Sequence, residues 1–394
     1  MHALPHDHIG ARIKRLRLER HLTQQALADL SQVPYSSLAK IEQGLRPASP
    51  HVIASLARAL RVEVATVTGQ PYATELRADQ LDSLIQPIRE ALDTYDLGPD
   101  PEVTPRAHQL LDDDAEELLV AVRAGEIKQT ATQLPGLVLE ATTAAHLAGT
   151  TESWLLLAST YRTAYDVASK LGFGDLATIA LSRMEWAAQR ASSGVVGGMY
   201  RYMRALTYLR TGQYRTGDRL IRMGLGILEQ AEPGRERDVL TGQLHLGAAV
   251  MAGRAQDSGR ATNHLAEAEQ VAERTGEAVD VHWLAFGPTN VAVHRVSVLA
   301  ELDQYEQAAR VGQRLDVPSS WPASRRSHHF AELARAQMWT GQLDDSFANL
   351  LRARKAAPQQ ARYHATVRET YAGLEAAHRQ LPHSFLSYGS WLGN

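Results

Sequence analysis

The sequence predicts an all-α chain, with a small helical bundle at the N-terminus followed by a long array of helix hairpins. Three observations carry this expectation. Residues 23–44 read as two short amphipathic helices joined by a tight turn. From about residue 106 onward, almost every window is rich in Ala and Leu and carries apolar residues at helical spacing. Through that second part a three-residue corner recurs, usually opened by glycine.

Taking the elements in order, Ile9, Ile13, Leu16 and Leu22 form an apolar stripe, and Arg12, Lys14, Arg15, Arg17 and Arg20 line the rest of that helix. Leu27, Ala28, Leu30, Val33, Leu38 and Ile41 have the spacing that two packed helices need to bury one face each. Thr23 is the N-cap of the first of these helices and places Gln24 and Gln25 in its first turn, where free backbone N–H groups and the helix dipole favour an anion. Tyr35, Ser36, Ala39 and Lys40 fall on the wet face of the second, which ends at Gly44. Val52, Ile53, Leu56, Ala57, Leu60, Val62 and Val64 continue the core through a fourth helix and a closing turn. The bundle spans about residues 6–70, a size that can fold alone.

The run Arg17…Thr23-Gln24-x-x-Leu27-Ala28…Leu38-x-x-Ile41-Glu42-x-Gly44 resembles the DNA-binding domain of the phage-repressor-like (Cro and repressor type, XRE) helix-turn-helix regulators. The resemblance implies that Gln24 contacts a phosphate. It also implies that Tyr35 and Ser36, with Lys40 a turn later, lie in the major groove. Arg46, in the loop after the recognition helix, is placed to touch backbone phosphate, and Gln25 and Ser37 complete the candidate DNA-facing set. Arg17 and Glu42 occupy positions that pair internally in relatives, so they are assigned to structure. Pro34 departs from the pattern: it stands where the family often has a capping Ser or Thr, and it supplies no side-chain acceptor. Relatives dimerise on palindromes with half-sites about one helical turn apart, which implies double-stranded DNA as partner and a homodimer here. None of Tyr35, Ser36 and Lys40 makes the bidentate contact from which an operator sequence can be read.

Charge is divided accordingly. Residues 1–72 hold nine Lys and Arg against five Asp and Glu, a net of +4, while the remaining 32 basic and 39 acidic residues give −7, which the total of −3 conceals. A solvated helix face is the plainer account of a basic stripe; a basic head on an acidic body is the pattern expected where only the head approaches phosphates. Of 41 basic residues only five are Lys, a bias that fits a GC-rich bacterial genome.

Cysteine is absent, which removes disulfides, thiolate chemistry and Cys-based zinc sites. No apolar run approaches eighteen residues and the start lacks the order of an export signal, so the expectation is a soluble cytoplasmic chain without membrane contact, nucleoid-associated when bound to DNA. No phosphate loop, nucleophile elbow or motif-placed acid pair occurs, and no enzyme activity or cofactor is expected. His328 and His329 are adjacent and point apart, His2, His6 and His8 crowd the terminus, and neither group has metal-ligand spacing. Asp112–Asp114 with Glu116 and Glu117 lacks the alternation and glycine of a calcium loop and reads as a helix cap. Tyr161, Tyr165, Tyr200, Tyr202 and Tyr208 read as packing between helices.

The first boundary follows Gly69-Gln-Pro-Tyr72, giving a head at 1–72, a linker at 73–105 and a body at 106–394. Residues 75–95 form an amphipathic helix with Leu76, Leu81, Leu84, Ile85, Ile88 and Leu92 in register, broken at Gly98-Pro-Asp-Pro101 and Pro105. An interdomain strut, part of a dimer contact and the start of the second domain are all compatible with it.

In the body the corners are Gly125-Glu-Ile127, Gly174-Asp-Leu176, Gly212-Gln-Tyr214, Gly253-Arg-Ala255, Asp303-Gln-Tyr305 and Gly341-Gln-Leu343, with centres 49, 38, 41, 50 and 38 positions apart. Six corners imply about six hairpins. The pattern resembles tetratricopeptide repeats, most clearly in Ala334, Gly341, Leu343, Leu350, Ala353 and Pro358, although most units exceed the usual length of about 34 residues. Head and body together resemble bacterial helix-turn-helix regulators with tetratricopeptide-like sensor domains. That resemblance implies a peptide or small-molecule effector bound inside the repeats. The stretch Trp283-Leu-Ala-Phe-Gly-Pro-Thr-Asn-Val-Ala-Val-His-Arg295 supplies a candidate site: Asn290, His294 and Ser297 share a helix face, Trp283 and Phe286 offer an apolar wall, and Arg295 suits a carboxylate. The structural alternative is a helix break at Gly287-Pro288-Thr289 followed by a capped restart, with Asn290 and His294 satisfied inside a core.

Overall fold

In the computed structural model, residues 8–46, 48–69, 78–377 and 382–393 are described. The chain divides into two compact units, one made of 1–72, 208–214 and 245–394, the other of 73–207 and 215–244. Among the described residues the regular structure is helical, and the one β-bridge joins Ala278 to Phe286.

The head comprises α1 (Ile9–Glu19), α2 (Gln24–Ser31), α3 (Tyr35–Glu42), α4 (Pro50–Ala59) and α5 (Val64–Thr68). The expected closing turn is therefore a short fifth helix. Ile13, Leu27, Leu38, Leu56, Leu60 and Val67 are fully buried and form its centre. The Thr23 hydroxyl caps α2 by accepting from the Ala26 N–H at 3.1 Å. Between α2 and α3 the chain reverses through Gln32 at φ 56°, and α3 begins at Tyr35 without a side-chain cap because Pro34 precedes it. Gly10 lets α1 cross α3 closely, since a methyl group there would overlap the Ile41 carbonyl oxygen.

Two expectations for the head change. Leu30 is 60% exposed. The buried face of α2 is Leu27, Ala28 and Ser31, and at 100° per residue Leu30 lies about 107° from its centre. Arg12 turns inward from the basic stripe, whereas Arg17 pairs with Glu42 as the resemblance implied. Arg12 donates from Nε to the Val67 carbonyl at 3.0 Å and from Nη2 to that of Thr68 at 3.1 Å, tying α5 to α1. Lys14 and Arg15 remain exposed.

In the second unit, α6 (Ala78–Asp93) packs on α8 (Ile127–Ala148) through Ile85, Ile88, Ala91 and Leu92, with α7 (His108–Ala124) beside them. That packing favours the start of the second unit among the three possibilities for this helix; residues 75–77 lie outside the described residues. Asp112–Asp114 sit within α7 rather than at its cap, and Asp114 pairs with Arg106 at 2.9 Å. Helices α9 (Thr151–Leu171) and α10 (Gly174–Arg190) form a tightly packed pair, followed by α11 (Gly194–Arg210), α12 (Tyr214–Glu229) and α13 (Arg235–Arg254). Tyr161, Tyr165, Tyr200 and Tyr202 are buried here, as packing residues should be.

The first unit also takes in the corner at 208–214, resumes within α13 at His245, and continues with α14 (Ser258–Thr275), α15 (Pro288–Glu301), α16 (Tyr305–Arg314), α17 (Ala323–Trp339), α18 (Leu343–Ala356), α19 (Pro358–Tyr363), α20 (Ala365–Ala377) and α21 (His383–Leu392). Each of the six corners falls where one helix hands over to the next, so the body is an array of paired helices. The last core is aromatic, with Tyr371 stacked on Phe385 at 4.4 Å between ring centroids and Tyr388 fully buried beside them. No helix among the described residues is long and apolar enough to cross a membrane.

Candidate nucleic-acid interface and effector face

Beside the apolar core of the head lies a buried ion pair. Glu42, at the end of α3, accepts from Arg17 Nε at 2.7 Å and Nη2 at 2.9 Å, and from Gln24 Nε2 at 2.8 Å. The Glu42 side chain is 1% exposed and that of Arg17 8%. Arg17 Nη1 also donates to the Leu22 carbonyl at 2.8 Å. Hydrogen bonding to Glu42 raises the Arg17 pKa above its ordinary value despite burial. Three helices are thereby fixed together: α1 through Arg17, α2 through Gln24 and α3 through Glu42.

Gln24 extends this network outward, because its Oε1 accepts from the Tyr35 hydroxyl at 3.4 Å. The first residue of the recognition helix is thus linked to the buried pair. Tyr35 is 49% exposed; Gln25, Ser36, Lys40 and Arg46 are exposed, and Ser37 is half-buried. Arg46 Nη1 donates to Ser37 Oγ at 3.1 Å, and Gln25 Nε2 donates to Asp29 Oδ1 at 2.8 Å. The proposed DNA-facing residues therefore come from α2, α3 and the following loop. Their donors suit phosphate and base edges: a hydroxyl at Tyr35 and Ser36, an ammonium at Lys40 and a guanidinium at Arg46.

The five candidate effector residues do not converge. Phe286 is fully buried and bridges to Ala278, whose N–H donates to the Phe286 carbonyl at 2.8 Å. Trp283 is half-buried in a single helical turn with positive φ at His282 and Trp283. Gly287 precedes α15 at φ 148°, and the restart is capped by Glu277, whose Oε1 accepts from the Thr289 N–H at 2.8 Å. Asn290 is fully buried and its carbonyl lies 2.8 Å from His294 Nδ1. Arg295 points elsewhere. It pairs with Glu269 at 2.9 Å and lines a shallow cleft of about 350 Å³ with Glu273, Val291 and Val311.

His294 instead belongs to a cluster that sequence reading missed. His328 Nδ1 lies 3.3 Å from His364 Nε2. Burial first, then the neighbouring His364, Arg325 and His294, hold His328 well below the ordinary imidazole range. Burial and Arg325 push His294 down to about 4, so this part of α15, α17 and the α19–α20 junction carries neutral imidazoles at neutral pH. Next to it runs an ion chain in which Arg254 pairs with Glu301 at 3.3 Å and Arg335 with Glu301 at 3.5 Å and Glu332 at 2.6 Å. Arg254 and Arg335 are 81 residues apart in sequence, and no local pattern marks them as neighbours.

A family model described as a helix-turn-helix domain matches residues 8–68. No curated protein and no solved structure matches the chain. The first five helices are thus a helix-turn-helix DNA-binding domain, and the paired helices that follow rest on their geometry alone.

Proposed function

We propose that this chain is a sequence-specific transcriptional regulator whose helical array senses a peptide or small molecule and supports a homodimer on a palindromic operator. The observation that carries the DNA-binding part is the Arg17–Glu42–Gln24–Tyr35 network, which ties the exposed start of α3 to the buried interior of the head. Exposed donors at Tyr35, Ser36, Lys40 and Arg46 on a basic head support contact with duplex DNA. The sensing part draws on the fully buried Asn290 and the half-buried imidazoles of His294, His328 and His364, polar groups whose removal from water is costly where packing is the sole role. The reading assigns no reaction or cofactor to the chain.

A second reading, a scaffold whose paired helices dock a protein partner while the head localises or autorepresses, draws on the length of the array relative to the head. Selection of duplexes from a random pool by the full-length protein, followed by an effector screen on the selected sequence, separates the two. A palindromic consensus whose affinity shifts with a peptide or metabolite supports the regulator, since coupling between sites appears as a change in affinity. A consensus indifferent to every small ligand, with a stable stoichiometric protein complex instead, supports the scaffold. Failure to enrich any sequence removes the regulator.

A further inference from the structure

The head is gripped by the edge of the array formed by successive corners. Ala54, on α4, is only 5% exposed yet stands outside the head's own apolar core. It is covered by Gly212, where a side chain would bring its Cβ within 2.5 Å of the Ala54 Cβ. Beside it, Arg58 Nη2 donates to the Gly212 carbonyl at 2.9 Å, and the His51 ring N–H donates to the Arg254 carbonyl at 3.0 Å. Arg254 in turn donates to the Leu209 carbonyl at 3.3 Å, joining two corners beneath α4. The next two corners present Tyr305 and Trp339, stacked with centroids 5.1 Å apart and planes 8° from parallel. The Arg46 guanidinium lies over the Trp339 ring, 5.4 Å from its centroid.

This grip leaves the reading face open, with Gln25, Tyr35, Ser36 and Lys40 all exposed while α4 is held. A guanidinium resting on an aromatic face keeps its in-plane N–H donors free, so the contact restricts the side chain without consuming its hydrogen bonds. Ser37 Oγ fixes one edge of the same guanidinium from the recognition helix. Building on the DNA-binding reading above, we propose that Trp339, a residue of the helical array, is a positioning residue for DNA binding: it holds Arg46 ready for a backbone phosphate on a head gripped through α4. The array then contributes to the DNA interface through the arginine it orients, and any shift of the corner edge that carries Trp339 changes phosphate affinity.

The test uses the full chain and a random-sequence duplex at low salt, because phosphate contacts do not depend on sequence. Trp339→Leu is expected to weaken binding about two- to five-fold, the range of an exposed cation–π contact. Trp339→Phe keeps a ring face and retains most of the affinity. Arg46→Ala lowers the dependence of log K on log salt by about one phosphate contact, and in that background Trp339→Leu has no further effect. A merely structural role for Trp339 would weaken Arg46→Ala protein by the same factor, and that result overturns the proposal. Unchanged or tighter binding by Trp339→Leu overturns it as well, the latter by showing that the grip restrains the head. If the wild-type chain binds no duplex at all, the DNA-binding reading falls too, which distinguishes the two failures.

Discussion

Removal of Glu42 should loosen the reading head locally. In Glu42→Ala, the Arg17 guanidinium, whose side chain is 8% exposed, loses two charge-assisted hydrogen bonds and keeps the Leu22 carbonyl. Breaking a buried pair by deleting one partner costs about 3–5 kcal/mol. A domain of the size matched at residues 8–68 has a total stability of roughly 3–9 kcal/mol at 0.05–0.15 kcal/mol per residue. The substitution therefore removes a third or more of the head's stability and raises its opening equilibrium about a hundredfold or more. Gln24 also loses its acceptor at Glu42, so the Tyr35 hydroxyl loses the anchored partner that held it. Hydrogen exchange followed by mass spectrometry on the full chain reads this directly. Peptides covering α1 to α3 should exchange at least about a hundredfold faster, while peptides from α17 and α18 stay unchanged. The double change Arg17→Met with Glu42→Leu should recover most of the protection, because a well-packed apolar pair replaces a buried ionic one at little cost. Unaltered exchange in Glu42→Ala would refute the reasoning, since it would mean the pair is solvated and the α1–α2–α3 junction rests on apolar packing alone.

Three further outcomes follow from the same structure. Gly10→Ala drives a methyl group into the Ile41 carbonyl oxygen and should destabilise the head by about 1–3 kcal/mol, seen as a lower melting temperature of the head transition; a stabilised variant would contradict the close crossing of α1 and α3. The imidazole of His294 is depressed from the ordinary 6.5 to about 4, so the unfolded chain binds more protons between these values and stability should fall as pH drops from about 6.5 toward 4. Glu369 acts in the opposite sense. Burial pushes it up to about 8, so the stability it contributes is present below about 4.5 and is lost as pH rises toward 8. Melting curves across this range should flatten on the acid side in His294→Leu and on the alkaline side in Glu369→Gln, and unchanged profiles would contradict the burial of these groups.

The head was legible because its signals are local. Thr23 caps α2 by accepting from an N–H three residues away, Gly44 takes φ 71° after α3, and the Leu27, Ala28, Leu38 and Ile41 pattern buries as spaced. The corners were legible for the same reason, as a short chain reversal between two helices leaves its mark within three residues. Charge sign alone misassigned Arg12, because a basic residue on a helix face reads the same whether it meets water or a neighbouring carbonyl, whereas the resemblance had already assigned Arg17 to an internal pair with Glu42. The Trp283–Arg295 segment failed to become one site for a geometric reason: Asn290 and Arg295 are five residues apart on α15, about 140° around the helix. His328 with His364, Arg254 with Glu301 and Arg46 with Trp339 could not be read from sequence at all, since each pair joins elements that only the packing of the array brings together.

The central claim, that the exposed start of α3 reads DNA, is tested most directly by immunoprecipitation of the tagged full-length protein with sequencing of bound genomic DNA, in wild type and in Tyr35→Ala with Lys40→Ala. Both side chains are exposed and outside the apolar core, so the variant should melt with the wild type. The account predicts discrete peaks sharing a palindromic sequence in wild type and their loss in the variant. Peaks that persist in the variant, or none in the wild type, would contradict it.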